Sequence, residues 1–264
     1  MASGVYRGAD GYLRIGSRST IASLLARHQM LAAAGFPVAR IIRSGEHEGL
    51  SYYVEASLGE ERLGIRFRRE WEGEGVSTES FDSFVEMTLR FSEAQIAAGA
   101  LLGDSTLRSG INLDTALSEA ETDSALIEAR FLSAARRLER LPIVACHGDY
   151  NPQNILPQGV IDLEDMFAGP LGYDQVSGIY TTELNPVGAY EFPARYRFSD
   201  VQVEAYYAAL DALFGEHSLP PLSSFRRDLE FCRAVWAATR MHEWPKTEEW
   251  RYAHLRGFFD DTIG

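Results

Sequence analysis

The residues best suited to chemistry lie in one stretch: Val144-Ala-Cys-His147-Gly148-Asp149-Tyr-Asn-Pro-Gln-Asn154-Ile-Leu156, then Gly159-Val-Ile-Asp162. An apolar run enters His-Gly-Asp, an Asn stands five residues after the Asp, and a second apolar run ends on another Asp. Phosphoryl transfer to a hydroxyl needs these parts: a carboxylate that orients the hydroxyl and takes its proton, and hard oxygens that hold Mg²⁺ against the phosphates. Asp149 suits the first task. Asn154 and Asp162 suit the second, because Mg²⁺ takes few protein oxygens and shares its other positions with phosphate and water. Taken singly, Asp149 and Asn154 are ordinary turn formers, and Asn151-Pro152 is a turn dipeptide. Taken together, His-Gly-Asp-x4-Asn arises by chance in roughly one chain in a thousand of this length. The whole constellation therefore reads as a site.

Elements on either side must position that loop. Val5–Arg7 and Tyr12–Ile15 read as a short hairpin around a Gly turn. Ser17 or Ser19 caps a helix from about Thr20 to Ala34, with Ile21, Leu24, Leu25 and Leu31 at helical spacing, and Gly35 and Pro37 stop it. Val38–Ser44 and Ser51–Ala56 read as strands joined by the polar turn Glu46–Gly49, and Leu63–Arg69 as a fifth strand. Beyond the Gly/Glu/Ser-rich stretch Glu70–Ser80 the period changes to helical over Phe81–Leu102 and Asp114–Leu141. Short strands are expected at Ile143–Cys146, Asn154–Leu156 and Val160–Ile161. Helices then follow at Tyr173–Tyr180, Val201–Phe214 and Phe225–Trp244. The pattern predicts an α+β chain: a small β-rich lobe over residues 1–70, then a larger, mostly helical lobe over 71–264.

Composition narrows the class. The chain has 264 residues, 45% hydrophobic and 24% charged, which suits a folded globular protein and excludes a disordered or fibrous one. No apolar run reaches the roughly 20 residues of a membrane span, and the first residues carry no apolar signal core. Two cysteines, Cys146 and Cys232, are too few for a disulfide scaffold or a zinc site. The expectation is a cytoplasmic protein, monomeric or homodimeric, with no membrane partner. A net charge of −13 argues against nucleic acid as a partner. Yet Gly11 to Gly45 holds no acid while carrying Arg14, Arg18, Arg27, Arg40 and Arg43. Such a segment suits a small anion such as a nucleotide, or is a solvated cationic face.

The loop resembles the catalytic loop of aminoglycoside phosphotransferases and their relatives, small-molecule kinases of the protein-kinase-like fold. Leu31-Ala-Ala-Ala-Gly-Phe-Pro-Val38 resembles the end of that family's N-lobe helix, and Tyr53-Val-Glu-Ala-Ser-Leu-Gly59 its inter-lobe hinge. Ile161-Asp-Leu-Glu-Asp165, with Gly169-Pro170 and Gly172-Tyr-Asp174, resembles the metal loop and the helix start after it. The resemblance covers about residues 3 to 210 and implies a two-lobe fold with an apparently shortened N-lobe. It implies Asp149 as catalytic base, Asn154 and Asp162 as Mg²⁺ ligands, and ATP or GTP as co-substrate. Backbone groups near Glu55, Ala56 and Ser57 would meet the nucleotide base. His147 would support the loop, and Asp174 would brace it or cap a helix.

Two features depart from the family pattern. Kinases of this fold place a Lys on the third strand, held by a Glu on the next helix. The only Lys here is Lys246, and Arg14 stands where that Lys belongs, with Leu24 about where the Glu belongs. Arg supplies charge-assisted hydrogen bonds to phosphate, but as a fork rather than a point charge. His28 or Gln29 is a candidate to orient it. Few residues precede Arg14, so most of a Gly-rich phosphate loop looks replaced, with Ser3-Gly4 as a possible remnant. The reading is a Mg²⁺-dependent phosphotransferase acting on a hydroxyl of a small molecule such as an aminoglycoside, sugar or amino alcohol. The alternative is a catalytically impaired pseudokinase that binds a nucleotide or a partner. Glu183, Tyr190, Glu191, Trp244, Glu248, Glu249 and Trp250 are candidates to line the acceptor side, or are simply surface residues of an acidic chain.

Overall fold

The computed structural model describes residues 4–8, 11–103, 105–120, 122–180, 196–240 and 248–259. It opens with β1 (Gly4–Arg7) and β2 (Tyr12–Gly16), then α1 (Arg18–Ala33), β3 (Ile41–His47) and β4 (Leu50–Glu55). These strands form one antiparallel sheet in the order β1-β2-β4-β3. Ser17 caps α1 by accepting from the Thr20 N–H, so one helix-end donor is satisfied at the sheet edge. The β3–β4 turn is tighter than the sequence suggests. Pairing runs out to His47 and Leu50, and Glu48 and Gly49 alone make the turn, both at positive φ as a two-residue hairpin requires.

Helices dominate the rest: α2 (Leu63–Trp71), α3 (Thr78–Ala98), α4 (Leu107–Gly110), α5 (Leu113–Glu119) and α6 (Ser124–Leu138). Then come β5 (Ile143–Cys146), the hairpin β6 (Ile155–Leu156) and β7 (Gly159–Val160), and β8 (Phe167–Pro170), which pairs with β5. The chain continues with α7 (Tyr173–Tyr180), α8 (Asp200–Glu216), α9 (Arg226–Arg240) and α10 (Glu248–Arg256).

Two expectations are corrected. Leu63–Arg69 is helix, not strand: Leu63, Gly64 and Phe67 are its buried residues, a one-face helical pattern, while Arg66, Arg68 and Arg69 stay off that face. Asp114–Leu141 is two helices rather than one, because the chain turns after Ala120, where the Asp123 N–H bonds back to the Ala120 carbonyl before α6 begins.

The main core lies in the helical lobe. Phe67 of α2 meets Phe84, Tyr196 and Phe198 edge-on, while Phe84 stacks on Phe198 and Tyr206 at centroid distances of 5.8 and 5.3 Å. Aromatic pairs of this kind add about 0.5–1.5 kcal/mol each to the burial of their surface. This packing fixes α2, and α2 in turn meets the loop after β5. A Cβ on Gly64 would lie 2.2 Å from the Gln153 side chain and 3.0 Å from its backbone N, so α2 and the loop pack closely there. A smaller cluster, Ala39, Leu58 and Leu156 with Ile161 against it, sits where the sheet meets the β6–β7 hairpin. Among the described residues, no helix is long and apolar enough to cross a membrane.

Candidate active site

Strand β5 is buried from Val144 to Cys146 and leads directly into His147, Gly148 and Asp149. The loop is held from beneath by Asp174 in the first turn of α7. Its carboxylate accepts from the His147 and Gly148 N–H groups at 2.7 and 3.1 Å, and from Gln95 Nε2 at 2.8 Å. Asp174 is fully buried, and burial raises its pKa even against those donors and the neighbouring His147. Gln95 extends the network: its Nε2 also donates to the Ala145 carbonyl, and its Oε1 accepts from Gln175 at 2.7 Å. Buried polar groups satisfied in this way define one loop geometry rather than several.

His147 is buried, and its Nε2 bonds to the Ile161 carbonyl at 2.8 Å while Nδ1 accepts from the Asp149 N–H at 3.3 Å. It therefore ties the first loop to the strand that carries Asp162. The β6–β7 hairpin does the same from the other side. Ile155 pairs with Val160 and the Ile161 N–H donates to the Asn154 carbonyl at 2.9 Å, which sets Asn154 and Asp162 at one end of the hairpin.

Asp149 is one-quarter exposed at its side chain. Its Oδ2 accepts from Asn154 Nδ2 at 3.1 Å and its Oδ1 from Asn151 Nδ2 at 3.0 Å. Because Asn154 uses its amide N–H₂ on Asp149, its Oδ1 is left for another partner. Asp162 is exposed in the cleft at φ 65°, ψ 62°, a left-handed conformation uncommon outside glycine. Among the described residues, no donor meets its carboxylate. One amide oxygen and one carboxylate are hard donors of the kind a cation shared with phosphate takes. Among the described residues, no group of three or more His, Cys, Asp or Glu is arranged to hold a metal by itself.

The cleft has a volume of about 520 Å³ and is lined by Arg14, Glu55, Ala56, Asp162 and Glu164, with Ala39, Leu58, Leu156 and Ile161 as apolar walls. Arg14 does reach it from β2. The Glu that the following helix lacks is supplied instead by the neighbouring strand. Glu55 Oε1 accepts from Arg14 Nε at 3.4 Å, both side chains being 10–13% exposed. Glu164 accepts from Arg14 Nη1 at 3.2 Å. Burial disfavours the Arg14 charge, but Glu55 and Glu164 outweigh it and its pKa moves up. His28 lies against Glu55 at 3.8 Å rather than against Arg14, and its Nε2 bonds the Ala39 carbonyl. Leu24 lines the same recess without a polar role.

The hinge residues divide. Glu55 and Ala56 line the cleft, the Ala56 N–H donating to the Arg40 carbonyl at 2.9 Å. Ser57 is exposed and turns its hydroxyl to the Gly59 carbonyl at 2.9 Å. Ser3, Glu183, Tyr190, Glu191 and Trp244 lie outside the described residues, as do the side chains of Glu248, Glu249 and Trp250.

Three further arginines brace the site, of which Arg233 and Arg240 are not singled out by the sequence. Arg27 of α1 donates to the Leu163 and Glu164 carbonyls at 2.9 and 3.0 Å, joining the helix to the loop after Asp162. Arg233 of α9 donates to Asp149 Oδ1 at 2.8 Å, and Arg240 meets Asp165. Arg27 stands in the acid-free N-terminal segment, which is a signal of a kind. For Arg233 and Arg240 nothing local separates them from other helical arginines.

Comparison with known proteins decides the family. Residues 8–210 match the model of the phosphotransferase enzyme family, APH. The chain belongs to that family. It is a small-molecule kinase of the two-lobe, protein-kinase-like fold. A choline/ethanolamine kinase family protein from Mesorhizobium loti is similar in fold, with TM-score 0.58 and 14% identity over 99% of this chain and 84% of that one. An aminoglycoside phosphotransferase, APH(3'')-Id from Streptomyces rimosus, solved with ADP and streptomycin, has TM-score 0.53 and 13% identity over 88% of this chain and 90% of that one. At such identities the likeness concerns the fold. No curated protein matches by sequence.

Proposed function

We propose that this phosphotransferase moves the γ-phosphoryl group of ATP or GTP, with Mg²⁺, to a hydroxyl of a small molecule such as an aminoglycoside, sugar or amino alcohol. The observation that carries the reading is the Asp149 carboxylate, held by Asn154, which is tied to Ile161, the neighbour of Asp162, a carboxylate that no donor meets among the described residues. Asp149 orients the acceptor hydroxyl and receives its proton as the new O–P bond forms. The bond between Pγ and the bridging oxygen breaks, and the nucleoside diphosphate leaves with its electrons. Asn154 and Asp162 are the residues that would hold Mg²⁺, which would supply neutralisation of charge on the phosphate oxygens. Arg14, kept charged and oriented by Glu55, is the phosphate contact from the sheet. The base enters the slot walled by Ala39, Leu58, Leu156 and Ile161, with the backbone near Glu55 and Ala56 at its edge.

The test measures ADP release from MgATP with choline, ethanolamine and streptomycin as acceptors, alongside calorimetric binding of MgATP. Asp149→Asn is expected to lower turnover about a thousandfold while leaving nucleotide affinity within about twofold, and Asp162→Ala to weaken MgATP binding. Full turnover in Asp149→Asn overturns the assignment. Nucleotide binding indifferent to Mg²⁺, with no transfer to any acceptor, is the outcome that favours the pseudokinase alternative.

A further inference from the structure

The proposed base does not stand on its own loop alone. Arg233, 2% exposed, lies beneath it and donates through two different nitrogens: Nη1 to the Gly148 carbonyl at 3.0 Å and Nη2 to Asp149 Oδ1 at 2.8 Å. Its guanidinium lies 3.7 Å from the centroid of Trp236, one turn along α9. Arg240, one turn further, lies 5.3 Å from the same ring and pairs with Asp165 of the loop after Asp162. Positions 233, 236 and 240 share one helix face. That face therefore presents two cations stacked about one aromatic ring, each committed to an acid on a different loop of the site. The two loops touch where Gly148 passes the Asp165 backbone, so neither shifts without the other.

The geometry points to Arg233 as a positioning residue for Asp149, fixing the rotamer of its carboxylate through a two-point clamp on the loop. This rests on the reading of Asp149 as the residue that orients the acceptor hydroxyl. The physical argument is one of constraint. Arg233 and Asn151 hold Oδ1 while Asn154 holds Oδ2, so the plane of the carboxylate is fixed from both edges, and of these three Arg233 alone is charged and reaches in from another element. A group that accepts a proton from a hydroxyl at hydrogen-bond range loses effectiveness steeply with small misplacement. The fork of an arginine makes two divergent bonds in fixed geometry, whereas a lysine makes flexible ones from a single point. Burial itself does not explain the pair. A buried ion pair is often no more stabilising than an apolar packing of equal volume, so one placed under a reactive carboxylate points to orientation rather than to stability.

The experiment compares wild type, Arg233→Lys, Arg233→Met, Asp149→Asn and the double variant Asp149→Asn/Arg233→Met. ADP release from MgATP is measured with the best acceptor among choline, ethanolamine and streptomycin, or with water alone, and turnover is normalised to the MgADP-binding stoichiometry. The expected result is a fall in kcat of at least tenfold for Arg233→Lys and a hundredfold for Arg233→Met, with KM for MgATP unchanged within about twofold. The double variant is expected to be no slower than Asp149→Asn. Should Arg233→Met fail to fold, Arg233→Lys alone carries the kcat-against-KM comparison. Wild-type kcat in Arg233→Lys, or a double variant slower than Asp149→Asn by the full Arg233→Met factor, overturns the inference and leaves Asp149's role intact. Full turnover in Asp149→Asn overturns the role of Asp149, and the inference with it.

Discussion

Gly148→Ala is the most direct test of how the two site loops depend on each other. Gly148 has φ +84°, and an added Cβ would lie 2.2 Å from the Asp165 carbonyl oxygen and 2.9 Å from its carbonyl carbon. Those are backbone atoms, so no side chain can swing away to make room. A non-glycine residue at such a φ costs about 1 kcal/mol or more, and forcing a methyl into a packed contact costs typically about 1–3 kcal/mol. Taken together the penalty is about 3 kcal/mol, which for a chain of this size lowers the thermal midpoint by about 6 °C. If the loops instead separate to relieve the contact, the required movement is on the order of 1 Å, enough to reduce turnover about a hundredfold. Calorimetric unfolding and ADP release from MgATP, measured on the same preparation, capture both routes. A variant with an unchanged midpoint and unchanged turnover would refute the claim that Gly148 and Asp165 are in fixed contact.

Arg14→Met removes the cation between Glu55 and Glu164 and is expected to weaken MgATP binding about tenfold or more, read by calorimetry; undiminished affinity would remove Arg14 from the phosphate site. Phe84→Ala, at the centre of the aromatic cluster and fully buried, should lower stability by about 3–5 kcal/mol in urea unfolding, with little change in MgATP affinity of the folded protein. Burial, and then the charge of Arg227, lower the pKa of His254 below its ordinary 6.5. The unfolded chain therefore takes up a proton that the folded one resists, so His254's contribution is present above pH 6.5 and is lost as pH falls below it. His254→Gln should flatten the fall in thermal midpoint between about pH 7 and 5; a fall as steep as wild type would contradict the assignment.

The kinase family was legible in the sequence because its signal is local. His147, Gly148, Asp149, Asn154 and Asp162 lie within sixteen residues, and the apolar runs around them have strand character, so the loop declares itself. The cap at Ser17, the hairpins and the change from sheet to helix are likewise written in short-range pattern. Leu63–Arg69 misread as a strand because arginines between apolar residues imitate alternation over so short a span. Only the packing of Phe67 on Phe84, with Gly64 against Gln153, decides for the helix.

What the sequence left open is set by contacts between residues far apart in the chain. The acid that holds Arg14 was sought on the following helix, yet Glu55 supplies it from 41 residues away, because β4 lies beside β2 in the sheet. Arg233 reaches Asp149 across 84 residues, and Arg240 reaches Asp165 across 75. A helical arginine carries no local mark of the carboxylate it will meet, since that pairing exists only once α9 packs beneath the loop. The chain's own order thus marked out the family and the loop whose residue types suit phosphoryl transfer. The tertiary structure decided which charges hold them in place, because charge pairing depends on distance in space and the folded chain alone sets that distance.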